Sequence, residues 1–194
     1  ASYDSFEWFD RFGDPGFLYT VTFARVLGLV ALRLADAEIL PFTYSDYGEA
    51  ILDHLEALDR MNLDEDGHPK MPLDLAPLRA LATAFRDSAA AVEARLARAL
   101  ETGGLAPARR RAVNDALTGV ERAFLAEEGL ARRPWYKHTI YAPGLYAGYA
   151  SLPLPGPAQA VLDSDAEEAA GELAKLRRAL ERAIARLRDA DPER

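Results

Sequence analysis

The residues with the most chemical reach are gathered in one irregular stretch. Between Arg133 and Gly156 lie Trp135, His138, four prolines and four tyrosines, at positions 136, 141, 146 and 149. Tyr141, Tyr146 and Tyr149 stand among Ala, Gly and Pro, so little bulk separates their phenols. Such a loop reads in two ways. It can be a binding lip, with a tyrosine hydroxyl hydrogen-bonding a ligand anion, or a segment pinned to its scaffold by aromatic packing. Long irregular loops in compact domains are uncommon and are often functional.

Other chemistry is poorly supplied. Asn62-Leu63-Asp64-Glu65-Asp66-Gly67 matches the first half of a calcium-binding EF-hand loop, but the twelfth position, which needs a bidentate Glu, is Leu73. The stretch therefore reads as a polar turn. His54, His68 and His138 have no zinc-type spacing. No serine sits in a Gly-x-Ser-x-Gly setting, and no phosphate-cradling glycine loop is present. The pairs Glu127-Glu128 and Glu167-Glu168 fall on helix surface, where solvated charge is the default. No catalytic residue and no metal ligand set is assigned within the chain.

The segments that must hold the loop all read as helices. The first runs from about Phe17 to Ala37, after the turn signal Phe12-Gly13-Asp14-Pro15-Gly16. It is apolar round most of its circumference, which predicts burial in a larger core and a dominant share of the stability. Leu40-Pro41 stops it. A second helix, about 46–61, has Thr43 or Ser45 as cap and Ile51, Leu52, Leu55 and Leu58 on one face. A third spans about 74–102, with Leu78, Leu81, Phe85, Ala89, Val92, Leu96 and Leu100 at steps of three and four, and ends at Gly103-Gly104. A fourth starts at Pro107 and ends near Gly129. A helical turn at about 157–162 precedes a fifth, about 165–190, striped by Leu173, Leu176, Leu180, Ile184 and Leu187. No strand signal convinces, although His138 to Tyr141 could pair briefly. The pattern predicts an all-α, up-and-down bundle of four long helices with one long ordered loop at about 131–156.

Composition bounds the partners. The chain has 194 residues, a net charge of −8 and no cysteine. An acidic surface argues against nucleic acid, and Arg109-Arg110-Arg111 and Arg132-Arg133, each beside a helix end, read as solvated or capping charge. Val21 to Ala37 is interrupted by Arg25, Arg33 and Asp36 and reads as short for a membrane span, so no membrane segment is expected. The absence of cysteine leaves the compartment open, a secreted or periplasmic one included.

With these residues in view, the chain resembles the C-terminal helical domain of the glutamate carboxypeptidase and transferrin receptor family. The resemblance is carried by Asn114-Asp115, Glu121-Arg122-Ala123-Phe124-Leu125, Gly129-Leu130 and the run Arg133-Pro134-Trp135-Tyr136-Lys137-His138-Thr139-Ile140-Tyr141-Ala142-Pro143, then Pro155-Gly156. The N-terminal half adds Tyr3-Asp4-Ser5, Phe12 to Phe17, Ala24-Arg25-Val26 and Leu34-Ala35-Asp36 with Leu40-Pro41-Phe42. The resemblance implies a single helical dimerisation domain over residues 1–194, with 1–16 linking from a peptidase domain outside this chain. That peptidase domain would hold two zinc ions and all the catalytic groups. Tyr3-Asp4-Ser5 fits the end of the motif bearing the last zinc-ligand His, which would fall just before Ala1.

The same resemblance marks two pocket positions. In glutamate-selective members a Lys-Tyr pair in this domain holds the substrate carboxylate. Here the Tyr falls on Tyr149 and the Lys on Gly148. The implied function is a dimerisation and pocket-completing domain of a bacterial-type di-zinc exopeptidase, acting as a homodimer and inactive by itself. The alternative is a non-catalytic, transferrin-receptor-like interaction module.

Overall fold

The computed structural model describes residues 5–146 and 148–193 and divides into two compact units, one ending at Pro41 and the other starting at Phe42. Tyr3 and Asp4, and Ala1 before them, lie outside the described residues.

The first unit opens with a single turn, α1 (Phe6–Trp8), capped by Ser5, whose hydroxyl oxygen accepts from the Trp8 N–H at 3.1 Å. A π-helical turn (Phe9–Gly13) and a 3-10 turn (Pro15–Phe17) follow. Asp14 is buried between them, and its carboxylate accepts from the N–H groups of Tyr19 and Thr20 at 2.9 and 2.7 Å. It thus satisfies donors that the start of α2 (Leu18–Asp36) leaves unpaired. Burial opposes its charge, but hydrogen bonds from the Thr20 side chain and the first-turn amides outweigh it and hold the carboxyl below its usual range.

The burial expected of α2 is not found. Every residue of the helix is exposed, Phe23, Leu27, Leu29 and Leu32 among them. It therefore does not dominate the stability of this chain. The reading that it is too short for a membrane also fails on length, because Pro15–Asp36 has the length and hydropathy of a span.

The second unit is the bundle. It contains α3 (Tyr44–Met61), α4 (Ala76–Glu101), α5 (Pro107–Arg122), α6 (Pro155–Asp163) and α7 (Ala166–Asp189). α3 packs on α4, α4 and α5 both pack on α7, and α6 lies against α7 and α3. The stripes are largely the expected ones. Ile51, Leu55 and Leu58 of α3 are buried, as are Leu78, Phe85, Ala89, Val92 and Leu96 of α4 and Leu176, Leu180 and Leu187 of α7. Leu100 is exposed, one turn beyond the core. At the centre Phe124 stands edge-on to Tyr47 and to Phe85, with ring centroids 5.3 and 5.7 Å apart. Such pairs add about 0.5–1.5 kcal/mol each beyond the area they bury.

Helix ends differ in their chemistry. Thr43 holds the N-cap position of α3 but makes no side-chain capping bond, and the Ser45 hydroxyl donates to Glu93 of α4 at 2.5 Å. Gly103 and Gly104, both at positive φ, end α4. Asp165 caps α7 by accepting from the Glu168 N–H at 2.9 Å. α5 stops at Arg122, seven residues before Gly129, because residues 123–129 are drawn into the loop. A two-stranded antiparallel ribbon, β1 (Tyr141–Pro143) with β2 (Ser151–Pro153), replaces the irregular chain expected there. Its strands pair Tyr141 with Pro153 and Ala142 with Leu152.

Candidate functional site

The loop is held from below by charge and from the side by aromatic rings. Its first arm, residues 125–139, closes back on itself. The Ala126 N–H donates to the Lys137 carbonyl at 2.8 Å, and the Leu130 N–H to the Tyr136 carbonyl at 2.9 Å. The Thr139 N–H and hydroxyl both donate to the Phe124 carbonyl, at 3.0 and 2.9 Å. Gly129 makes the turn possible, since its φ is +70° and a Cβ there would overlap the Pro134 carbonyl.

Of the two arginines after it, Arg133 is not solvated charge. Arg133 is 2% exposed and donates to the carbonyls of Pro143 and Pro155. The guanidinium fork thus ties the end of β1 to the first turn of α6. Burial draws Arg133 below the usual guanidinium range. Arg132, at φ +60°, bridges Asp163 and Glu168 at 2.6 and 2.7 Å. Glu168 is thus a loop anchor rather than free helix surface. Glu172 of α7 is 3% exposed; it accepts from the Ala131 N–H at 3.0 Å and from Lys175 at 2.6 Å, while Lys175 also donates to the Gly129 carbonyl at 2.8 Å. Nothing in the sequence around Glu172 marks it as buried, because it sits beside Leu173 on a helix rich in exposed acids.

The side support joins residues far apart in sequence. His138 Nδ1 accepts from the N–H groups of Ile140 and Tyr141, both at 3.2 Å. That leaves its proton on Nε2, which donates to Glu121 at 2.9 Å. The Tyr141 ring stacks on His138 with centroids 6.2 Å apart and meets His54 edge-on at 5.5 Å. Its hydroxyl lies 3.0 Å from His54 Nε2. Burial, with the charge of Glu121, pushes the Tyr44 phenol to about 12, and the same two causes push Tyr47 and Tyr141 up.

The tyrosines of the loop therefore separate. Tyr141 is occupied by His54 and is a fastening. Tyr146 and Tyr149 are exposed, and Tyr149 is exposed in full, at 108% of the reference value, beside Gly148 with open space around it. An open cleft of about 860 Å3 among Asp115, Arg122, Lys137, Arg182 and Asp189 holds none of them.

Among the described residues no zinc site is formed. His54 Nε2 is engaged by Tyr141, both nitrogens of His138 are engaged, and His68 Nδ1 lies 3.8 Å from Asp64. Among the described residues no three His, Asp or Glu side chains converge. The EF-hand-like stretch is a turn in which Asp64 accepts from the N–H groups of Asp66 and His68 at 3.0 and 2.8 Å. The Asn62 side chain, buried, is spent on Met71, accepting from its N–H at 3.2 Å and donating to its carbonyl at 2.8 Å.

Comparison with known proteins matches residues 73–188 to the transferrin receptor-like dimerisation domain. The chain is 41% identical over 157 residues to "Probable glutamate carboxypeptidase LAMP1" of Arabidopsis thaliana, covering 80% of this chain and 21% of that protein. It is 32% identical over 154 residues to "Aminopeptidase NAALADL1" of Rattus norvegicus, covering 79% of this chain and 20% of that one. It is also 41% identical over 70 residues to "Inactive zinc metalloprotease C354.09c" of Schizosaccharomyces pombe, covering 36% of this chain and 9% of that one. The chain thus spans about a fifth of the length of the first two relatives. All three are eukaryotic and lend nothing to a bacterial origin.

Proposed function

Because the chain belongs to the transferrin receptor-like dimerisation family, we propose that it is the self-associating part of a longer zinc exopeptidase and completes that enzyme's substrate pocket with Tyr149. The zinc ions and the reacting groups belong to the rest of that protein. The task left to this chain is placement: a bundle carries a fastened loop, and the loop holds out the phenols of Tyr146 and Tyr149. The observation that carries the reading is the contrast between Tyr141 and Tyr149. One hydroxyl is tied to His54, and the other is fully exposed. An aromatic ring that local packing does not use is explained by a ligand that does.

Gly148 shapes the specificity. Where the resemblance places a lysine, this chain has no cation and no side chain. A substrate carboxylate would then receive a hydrogen bond from the neutral Tyr149 phenol without the ion pair that a lysine would add. Selection for a C-terminal glutamate is accordingly weak, and the pocket accepts other terminal residues. The relatives' names include both a carboxypeptidase and an aminopeptidase.

A non-catalytic parent is the second reading, favoured by the match to an inactive metalloprotease. The full-length gene product decides between them. Two zinc per protomer, with hydrolysis of dipeptides that Tyr149→Phe weakens, supports the enzyme. A zinc-free product that still forms dimers supports the interaction module.

A further inference from the structure

Every residue of α6 from Pro155 to Val161 is buried. One of them is polar: Gln159 is only 4% exposed. A buried carboxamide is costly unless both its ends find partners. The nitrogen of Gln159 donates to Asp163 Oδ2 at 3.0 Å, and its oxygen accepts from the Leu145 N–H at 3.4 Å. Chemistry fixes which end is which. Arg132 donates to the same Asp163 oxygen at 2.6 Å, and the hydrogen bonds from Arg132 and Gln159 hold that carboxyl below its usual range. An ionised carboxylate only accepts, so the amide nitrogen must face it and the oxygen must face Leu145.

Leu145 belongs to the tip that joins β1 to β2, residues 144–150, and this tip carries Tyr146 and Tyr149. The ribbon itself stops at the pair Pro143 and Ser151. Among the described residues, the bond to Gln159 is the one hydrogen bond that ties the tip to the bundle. It shortens the free span from 144–150 to 146–150, and a shorter free span has fewer conformations to visit. At 3.4 Å the bond is long, so the tip is tethered rather than clamped. Arg132 extends the tether by bridging Asp163 to Glu168, at the start of α7.

We propose that Gln159 is a positioning residue for the substrate pocket. Its buried carboxamide, aimed by Asp163 and Arg132, holds the Leu145 N–H and thereby sets where Tyr149 presents its phenol. The proposal rests on the reading of Tyr149 as a substrate contact. A methionine at 159 would fill the same space in α6 and leave the tip untied, so Gln159→Met separates the tether from the packing.

Hydrogen exchange resolved to single amides, in the full-length gene product, reads the tether directly. In Gln159→Met the Leu145 amide should exchange about two- to tenfold faster, the range that one ordinary hydrogen bond supplies. The Thr139 and Leu154 amides, bonded to the Phe124 and Ile140 carbonyls, should keep their rates and show an intact scaffold. An unchanged Leu145 rate overturns the proposal. If Gln159→Met does not fold, Asp163→Ala, at an exposed position, frees the carboxamide from outside the core and should quicken the same amide. Kinetics then read the positioning. Tyr149→Phe and Gln159→Met should each lower kcat/KM, and the double variant should fall little further than Tyr149→Phe alone. Additive losses overturn the positioning role, since a merely structural Gln159 would act independently of the phenol. Full activity in Tyr149→Phe overturns the substrate reading instead, and the exchange rates then decide the tether alone.

Discussion

The hydroxyl of Tyr141 and the Nε2 of His54, 87 positions apart, lie 3.0 Å from one another. This pair fixes the root of the loop to α3. Burial lowers the proton affinity of His54, and the nearby Asp53 only partly offsets it. The imidazole is therefore uncharged at neutral pH, and its Nε2 shares one hydrogen bond with the phenol hydroxyl, in a direction set by the tautomer.

The sign of the pH effect follows. A histidine whose folded pKa lies below its unfolded value of 6.5 gives stability that is complete above 6.5. That stability is lost as pH falls through the folded value. Urea midpoints of the wild type should drop between pH 7.5 and pH 5 by more than those of His54→Gln. Equal drops would remove His54 from the account. Tyr141→Phe, at neutral pH, should cost about 0.5–1.5 kcal/mol for the lost hydrogen bond.

Arg133 gives a sharper effect. Arg133→Met keeps most of the volume and removes the guanidinium donor from the Pro143 and Pro155 carbonyls. Hydrogen bonds from a charged group are worth about 1.5–3 kcal/mol, partly offset because a costly buried charge also leaves. A net loss of about 1–3 kcal/mol is expected, with faster proteolysis between residues 143 and 155. An unchanged cleavage rate would show that the loop is held without it.

Glu172→Ala tests the other anchor. It strands Lys175 and the Ala131 N–H at a site where the carboxylate is almost wholly buried. Breaking a buried pair by removing one partner costs about 3–5 kcal/mol. Glu172→Gln should lose less, since it still accepts from the Ala131 N–H. If the two variants melt together, the charge of Glu172 is irrelevant.

Much of this was legible in the sequence, and the reasons are local. Phe85, Val92, Leu176 and Leu180 declare their buried faces through a period of three to four residues. Tyr149 stood out because Gly148 and Ala150 give an aromatic ring nothing to pack on. The anchors were not legible. Arg133, Glu168 and Glu172 look like surface charge because a chain does not show which carbonyls its folds will leave unpaired. The β1–β2 ribbon was hidden because three-residue strands ending in proline carry no alternation to read. α2 misled in the opposite direction: its pattern predicts burial, and every residue of it is exposed.

Self-association can be separated from that exposed helix. The family match assigns dimerisation to residues 73–188, and two-fold dimers are the commonest closed form. Leu27→Lys with Leu34→Lys should suppress nonspecific association through α2 and leave a defined dimer in sedimentation velocity at high micromolar concentration. A strict monomer in that variant would mean that the dimer needs more of the parent than this chain supplies.

Tyr149 carries the functional claim, and one substitution examines it twice. Its ring is fully exposed, so Tyr149→Phe should leave the melting temperature of this chain unchanged. In the full-length enzyme the same change removes one hydroxyl hydrogen bond to a substrate carboxylate. A bond to a charged group is worth about 1.5–3 kcal/mol, so kcat/KM should fall by about tenfold to a hundredfold. Gly148→Lys supplies the contrast. It adds a cation beside the phenol in a place with no neighbouring atoms to displace. It should raise kcat/KM for peptides ending in glutamate relative to those ending in leucine. If Tyr149→Phe keeps full activity, or Gly148→Lys leaves that ratio where it was, the loop does not meet the substrate and its exposed tyrosine serves another surface.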